Sequence, residues 1–222
     1  TFRLVAGFAI IIGMATFAYG FLTEPDRTWA NYLLNNYLWL SVALGGALFF
    51  ALQYISQSGW SAAFKRIPEA FMAYLPYAAV FFLLLYFGTH SLYHWSHPEE
   101  VAHDALLQHK APYLNVPFFM ARLVLYFSLW IIFTRILRRL SLKEDETGER
   151  LYFEKQELYS KILIFILAIS FTLSNIDWIM SMDPHWFSTI FAVKGLISAF
   201  LHGVSIIILI IFILHSLGYF GF

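Results

Sequence analysis

The sequence predicts an all-α polytopic membrane protein, a transmembrane bundle of about six spanning helices. Three observations predict it. Of its 222 residues, 60% are hydrophobic and only 13% are charged, about half the charged fraction usual in soluble domains. Six stretches reach the roughly 20 mostly apolar residues that a hydrocarbon core requires. Aromatic residues make up 20% of the chain, as suits helices anchored by rings at both interfaces.

The predicted spans cover about residues 2–22, 29–55, 68–92, 116–140, 159–179 and 189–217, all in one integral membrane domain over 1–222. The polar turn Thr23-Glu24-Pro25-Asp26-Arg27 separates the first two. In the second, Gly45-Gly46-Ala47 offers a small-residue patch where another helix can approach closely. Residues 56–66 are amphipathic and are expected at the surface. The third span contains Pro76, which removes a backbone donor and predicts a kink. A polar segment with four of the eight histidines follows, and then the fourth span, which ends in Arg135, Arg138 and Arg139. Residues 141–156 hold Lys-Glu-Asp-Glu-Thr-Gly-Glu-Arg and are expected to form a solvated loop. The chain reads as part of a longer polypeptide.

Charge placement predicts orientation. One set of alternate connections holds Arg3, Lys65, Arg66, Arg135, Arg138, Arg139, Lys143, Arg150, Lys155 and Lys161; the other holds Arg27 and Lys110. The first set is expected on the cytoplasmic side, together with the N-terminus. The histidine-rich segment and the Asp183-Pro184-His185-Trp186 turn are then expected to face outward. A net charge of zero supplies no argument for a nucleic-acid partner. The absence of cysteine excludes disulfides, thiolate chemistry and Cys-ligated clusters from this chain.

Ionisable residues inside spans are costly and draw attention. Asp177 lies eight residues before His185 and Lys194 nine after it. If both flanks are helical almost to the turn, the two sit at equal depth, about 10 Å in at 1.5 Å per residue, and are expected to answer each other. Arg122 is at similar depth on the fourth span, with His90 and His94 near the end of the third. His202 lies below Lys194, and Glu69 begins the third span. Three roles fit these groups: a static ion-pair network joining helices, a proton relay of groups with shifted pKa values, or a headgroup site for quinone or another ligand. The proton-pathway candidates are Asp177, Lys194, His202, Arg122, His90, His94 and Glu69. His90, His94 and His97 would share one face if the helix persisted, a spacing compatible with metal or haem. Interfacial, hydrogen-bonded histidines are the plainer reading. His185, after a proline in a turn, reads as structural. No nucleophile triad, phosphate loop or nucleotide fingerprint is present, so no catalytic residue is assigned.

Residues 177–191, Asp-Trp-Ile-Met-Ser-Met-Asp-Pro-His-Trp-Phe-Ser-Thr-Ile-Phe, closely resemble a motif of alternative complex III membrane subunits. Asn35-Asn36-Tyr37, Ala43-Leu44-Gly45-Gly46, Leu92-Tyr93-His94-Trp95 and Tyr113-Leu114-Asn115-Val116-Pro117-Phe118-Phe119 extend the likeness over most of the chain. The chain is most similar to the ActF type, a sister of the ActC type and a relative of NrfD-like polysulfide reductase membrane subunits. The resemblance implies a fold of about ten helices, of which six are visible here. It implies a bacterial inner-membrane complex that oxidises quinol and passes electrons to cytochrome c or a similar acceptor. The expected partners are a sister polytopic subunit, where quinol is oxidised, an iron–sulfur protein and multihaem cytochromes c. Iron–sulfur clusters and haem c are thus expected in the partners, and no cofactor or metal in this chain. The same resemblance implies help with proton movement. A purely structural scaffold subunit and a stand-alone transporter are the alternatives.

Overall fold

Lipid offers backbone amides no partner, so a spanning segment must satisfy its hydrogen bonds internally. Helix is accordingly the only regular structure in the computed structural model, which describes residues 2–219, with side chains from residue 3 onward. Thr1 and residues 220–222 of the expected domain lie outside the described residues. The α-helices are α1 (Phe2–Thr23), α2 (Pro25–Ile55), α3 (Arg66–Met72), α4 (Leu75–Leu83), α5 (Thr89–Leu92), α6 (Pro98–His103), α7 (Ala105–Lys110), α8 (Val116–Thr147), α9 (Arg150–Trp178) and α10 (Phe191–Ser216). Six segments are long and apolar enough to cross a membrane, with α3 to α5 counting as one interrupted span. The protein is a multi-pass helical membrane protein.

Local chemistry sets the ends and breaks. Pro25 opens α2 at a position where a missing N–H costs nothing. Asn115 caps α8, its Oδ1 accepting from the Phe118 amide at 3.0 Å. The kink expected at Pro76 is present: α3 and α4 meet at Ala73-Tyr74, whose amides donate back to Ala70 and Phe71 rather than one residue further. A further 3-10 stretch, Leu84–Gly88, separates α4 from α5.

The expected solvated loop over 141–156 is not a loop. α8 runs on to Thr147, Gly148 closes it in the left-handed conformation (φ 68°), and α9 begins at Arg150. Thirty-two residues at 1.5 Å span about 48 Å, well beyond a 30 Å hydrocarbon core. The charged run is therefore helix projecting past the apolar layer. Its Lys and Glu residues mark polar surroundings, and they are also good helix formers.

The central helix is α2, the most deeply buried of the spans. Around it, α4, α8 and α9 enclose an aromatic core of Phe82, Phe127, Trp130, Phe171 and Trp178, whose rings meet edge-on, tilted or stacked. α10 lies outside this bundle against α2 and α9. α1 rests on α2 through Phe17 and Phe21 against Trp29 and Tyr32.

The small-residue patch of α2 serves the close approach expected of it. A β-carbon on Gly45 would collide with the backbone of Ala199 and Gly203 in α10, and one on Gly203 with the backbone at Gly45 and Gly46. Gly13 in α1 has open space around it. Gly45→Ala and Gly203→Ala should each destabilise the protein by about 1–3 kcal/mol through overpacking, whereas Gly13→Ala should not. Thermal unfolding of the three variants in one detergent measures the contrast.

Candidate functional site

Asp177 is the penultimate residue of α9, where helix carbonyls already concentrate negative charge. Its carboxylate is 1% exposed and so must be met by donors. Arg122, one and a half turns into α8, answers with both arms of its fork: Nε donates to Oδ2 at 2.8 Å and Nη2 to Oδ1 at 3.0 Å. The Tyr126 hydroxyl, one turn deeper on α8, donates to Oδ2 at 2.9 Å. The remaining arm of Arg122 donates to the Tyr113 carbonyl at 2.9 Å. Its guanidinium carbon stands 3.9 Å from the Tyr113 ring centroid and 4.4 Å from that of Phe118, a favourable stack for a weakly hydrated cation.

The end of α9 leaves carbonyls without helical partners, and the histidine-rich segment supplies donors. Tyr93 donates its hydroxyl to the Trp178 carbonyl at 3.0 Å, and Trp95 its indole N–H to Ser181 at 3.1 Å. Ser181 donates to the Asp177 carbonyl at 2.5 Å. Deeper on α9, Asn175 is fully buried and accepts from the Tyr37 hydroxyl of α2. Gly195 of α10 lies so near that a β-carbon there would strike the Asn175 amide. Four helices thus meet around two polar residues of α9.

The expected partnership of Asp177 with Lys194 is absent. The connection between α9 and α10 is not a tight hairpin; it takes residues 179–190, including a 3-10 turn at Met180–Met182. Lys194 consequently sits in the first turn of α10, not deep within it, and its exposed side chain makes no hydrogen bond or ion pair among the described residues. His202, two turns on, takes a different partner: its Nδ1 lies 2.8 Å from Ser41 Oγ on α2. The shared histidine face is also absent, because α5 ends at Leu92 and Tyr93 is extended. His94 turns to Glu100 at 3.1 Å, and His90 meets Ser96 at 3.3 Å with its ring 5.0 Å from that of His97. Among the described residues no group of three His, Asp or Glu side chains converges as metal ligands would. His185 joins Asp104, Nε2 to Oδ2 at 2.7 Å, and so pins its turn to the N-terminus of α7.

The opposite end of the bundle carries a second polar knot. Glu69 of α3, 2% exposed, accepts from Arg66, Arg138 and Ser141. Glu144 accepts from Tyr54 and Gln156, each at 2.8 Å, and from Lys65 at 3.3 Å. Asp145 completes the knot with Lys65 and Arg66. Sequence reading placed Glu69 in a span without its partners and missed Tyr126, Tyr37, Ser141 and Gln156. The spacing of Tyr126 four residues after Arg122 was the available signal, since i and i+4 share a helix face.

Fold and site together define a multi-pass helical membrane protein whose bundle is tied by buried polar groups at both ends. No protein-family model matches the chain, and no curated protein matches it.

Removing one member of a buried, hydrogen-bonded pair strands the other. Asp177→Asn and Arg122→Gln should each lower stability by about 3–5 kcal/mol, with the double variant losing less than the sum; chemical unfolding in mixed micelles gives all three values. Asp104, in the polar connection, is held below its ordinary carboxylate value. Desolvation acts to raise it, but the Leu107 and Leu106 amides and His185 outweigh that effect. Its capping contribution is therefore fully present above the ordinary value of 3.8 and is lost as pH falls through the lower folded value. Hydrogen exchange at Leu106 and Leu107, corrected for intrinsic rates, should show protection fading only below that range.

Proposed function

We propose that this chain is a cofactor-free integral membrane subunit of a bacterial alternative complex III, in which partner subunits oxidise quinol and carry the electrons onward. One observation carries the reading. Four of the stretches on which the family resemblance rests, far apart in sequence, meet at one end of the bundle. Tyr93 and Trp95 meet the end of α9, Tyr113 and Asn115 position Arg122 and its helix, and Tyr37 meets Asn175. The fifth stretch lies between the two ends, where Gly45 and Gly46 bring α10 and α3 against α2. A resemblance confined to one apolar pattern would have no reason to assemble this way. In this reading the basic end faces the cytoplasm and the histidine-rich end faces outward.

Within such a complex the geometry favours scaffolding over a proton half-channel through Asp177. Both carboxylate oxygens are engaged by Arg122 and Tyr126 in a site closed by aromatic rings. Lys194, His90 and His94 lie apart from it at exposed positions. A group that relays protons must exchange partners, and this one is held by three donors at once.

The test is affinity capture of the chain in mild detergent, with mass spectrometry and a reduced-minus-oxidised spectrum. The expected result is a c-type haem spectrum with an iron–sulfur protein and a second polytopic subunit. Recovery alone and colourless, under conditions that keep other membrane complexes whole, overturns the assignment. In the same preparation Asp177→Asn should lower the yield of complex while the complex that forms keeps its proton-to-electron ratio; a normal yield with a lowered ratio would reverse the scaffold reading.

A further inference from the structure

The basic end holds a cleft that adjoins the polar knot and shares Glu69 and Arg138 with it. This cleft, of about 350 Å³, lies between the α3–α4 break and α8, and its lining joins the apolar Met72, Ala73, Pro76 and Ile131 to Glu69, Tyr77, Thr134, Arg135 and Arg138. Arg138 engages Glu69 through Nη1 alone. Arg135 has no ion pair or hydrogen bond among the described residues, and the Tyr77 hydroxyl has none either; both are exposed. Glu69, the one acid in the lining, is already answered by Arg66, Arg138 and Ser141. The cleft therefore presents the uncompensated charge of Arg135 beside an apolar wall of Met72, Ala73, Pro76 and Ile131.

Its depth defines what can reach it. Arg135 lies 19 residues along α8 from Val116, about 28 Å at 1.5 Å per residue. That distance matches the roughly 30 Å of hydrocarbon between the two headgroup layers. The guanidinium is thus placed at headgroup level, while the apolar wall runs from it towards the membrane interior. Basic pockets between spanning helices at this level hold anionic headgroups, and a planar guanidinium matches a phosphate with two parallel N–H bonds.

We propose that this cleft binds one anionic phospholipid, its phosphodiester held by Arg135 with Arg138 and the Tyr77 hydroxyl, and an acyl chain lying along Met72, Pro76 and Ile131. The lipid would fill the gap that the Pro76 break opens between α4 and α8. It thereby couples the least regular span to the longest helix. The proposal is independent of which complex the chain belongs to.

The experiment uses the full chain in detergent, supplied with phosphatidylglycerol or phosphatidylcholine and examined by native mass spectrometry. Phosphatidylglycerol should be retained in preference to phosphatidylcholine. Arg135→Gln should weaken that retention about fivefold, the effect of losing one basic contact at a membrane surface, with Arg135→Lys falling between. Lys155→Gln removes an equal charge from an exposed position on α9 and should leave retention unchanged. Equal retention of the two lipids, or equal loss in the Arg135 and Lys155 variants, overturns the proposal. Displacement of the bound lipid by millimolar inorganic phosphate would also overturn it, in favour of a free-anion site.

Discussion

A carboxylate at the C-terminal end of a helix meets the negative end of the helix dipole, and inside a membrane it has no water to relieve it. Asp177 is in this position, and the arrangement around it follows from that constraint. The charge requires a cation, and Arg122 reaches it from α8 with a bidentate grip. Arg122 in turn requires its third edge and its faces to be covered, which Tyr113 and Phe118 supply. The carbonyls exposed where α9 stops are met by Tyr93 and Ser181. Each buried polar group is tolerable only because the next one is in place, so the adjoining ends of α8 and α9 and the polar connection between α5 and α8 stand or fall together.

The other end of the bundle solves the same problem with different geometry. Glu69 and Glu144 are each shared by several donors from different helices, and the donors include Lys65, Arg66 and Arg138. Between the two knots the helices are joined by close packing: the aromatic core around Trp130 and Trp178, and the contact of Gly45 with Gly203. In lipid no hydrophobic force drives helices together, so small residues and buried hydrogen bonds carry that burden. α2 shows the consequence, because it has both and is the most buried span. The bundle is thus tied by buried polar groups at both ends and by close packing between them.

Much of this was legible in the sequence. Six apolar runs announced six spans, Pro76 announced a kink, and Gly45-Gly46 announced a close helix approach, because each depends on the composition or covalent geometry of a short segment. The intramembrane polar residues were also visible, since a charge in an apolar run stands out. Asp177, Arg122 and Glu69 proved to be the anchors of the two knots. The charged run after Leu140 signals contact with water, which suggests a loop; that signal does not distinguish a loop from a helix that outlasts the bilayer.

What the sequence determined, then, was the list of spans, the break near Pro76 and the polar residues that fall within the spans, all of which follow from composition and local bonding. It did not determine the partner of Asp177. Lys194 and Arg122 were both cations near the same level, and the choice between them depended on which helix stood opposite and on where α9 ended. Those are tertiary facts. The end of α9 is set with donors from Tyr93 and Ser181, and the irregular stretch of residues 179–190 carries Lys194 to the rim of the bundle. Periodicity orders residues around one axis; only the assembly of several axes decides which of them touch.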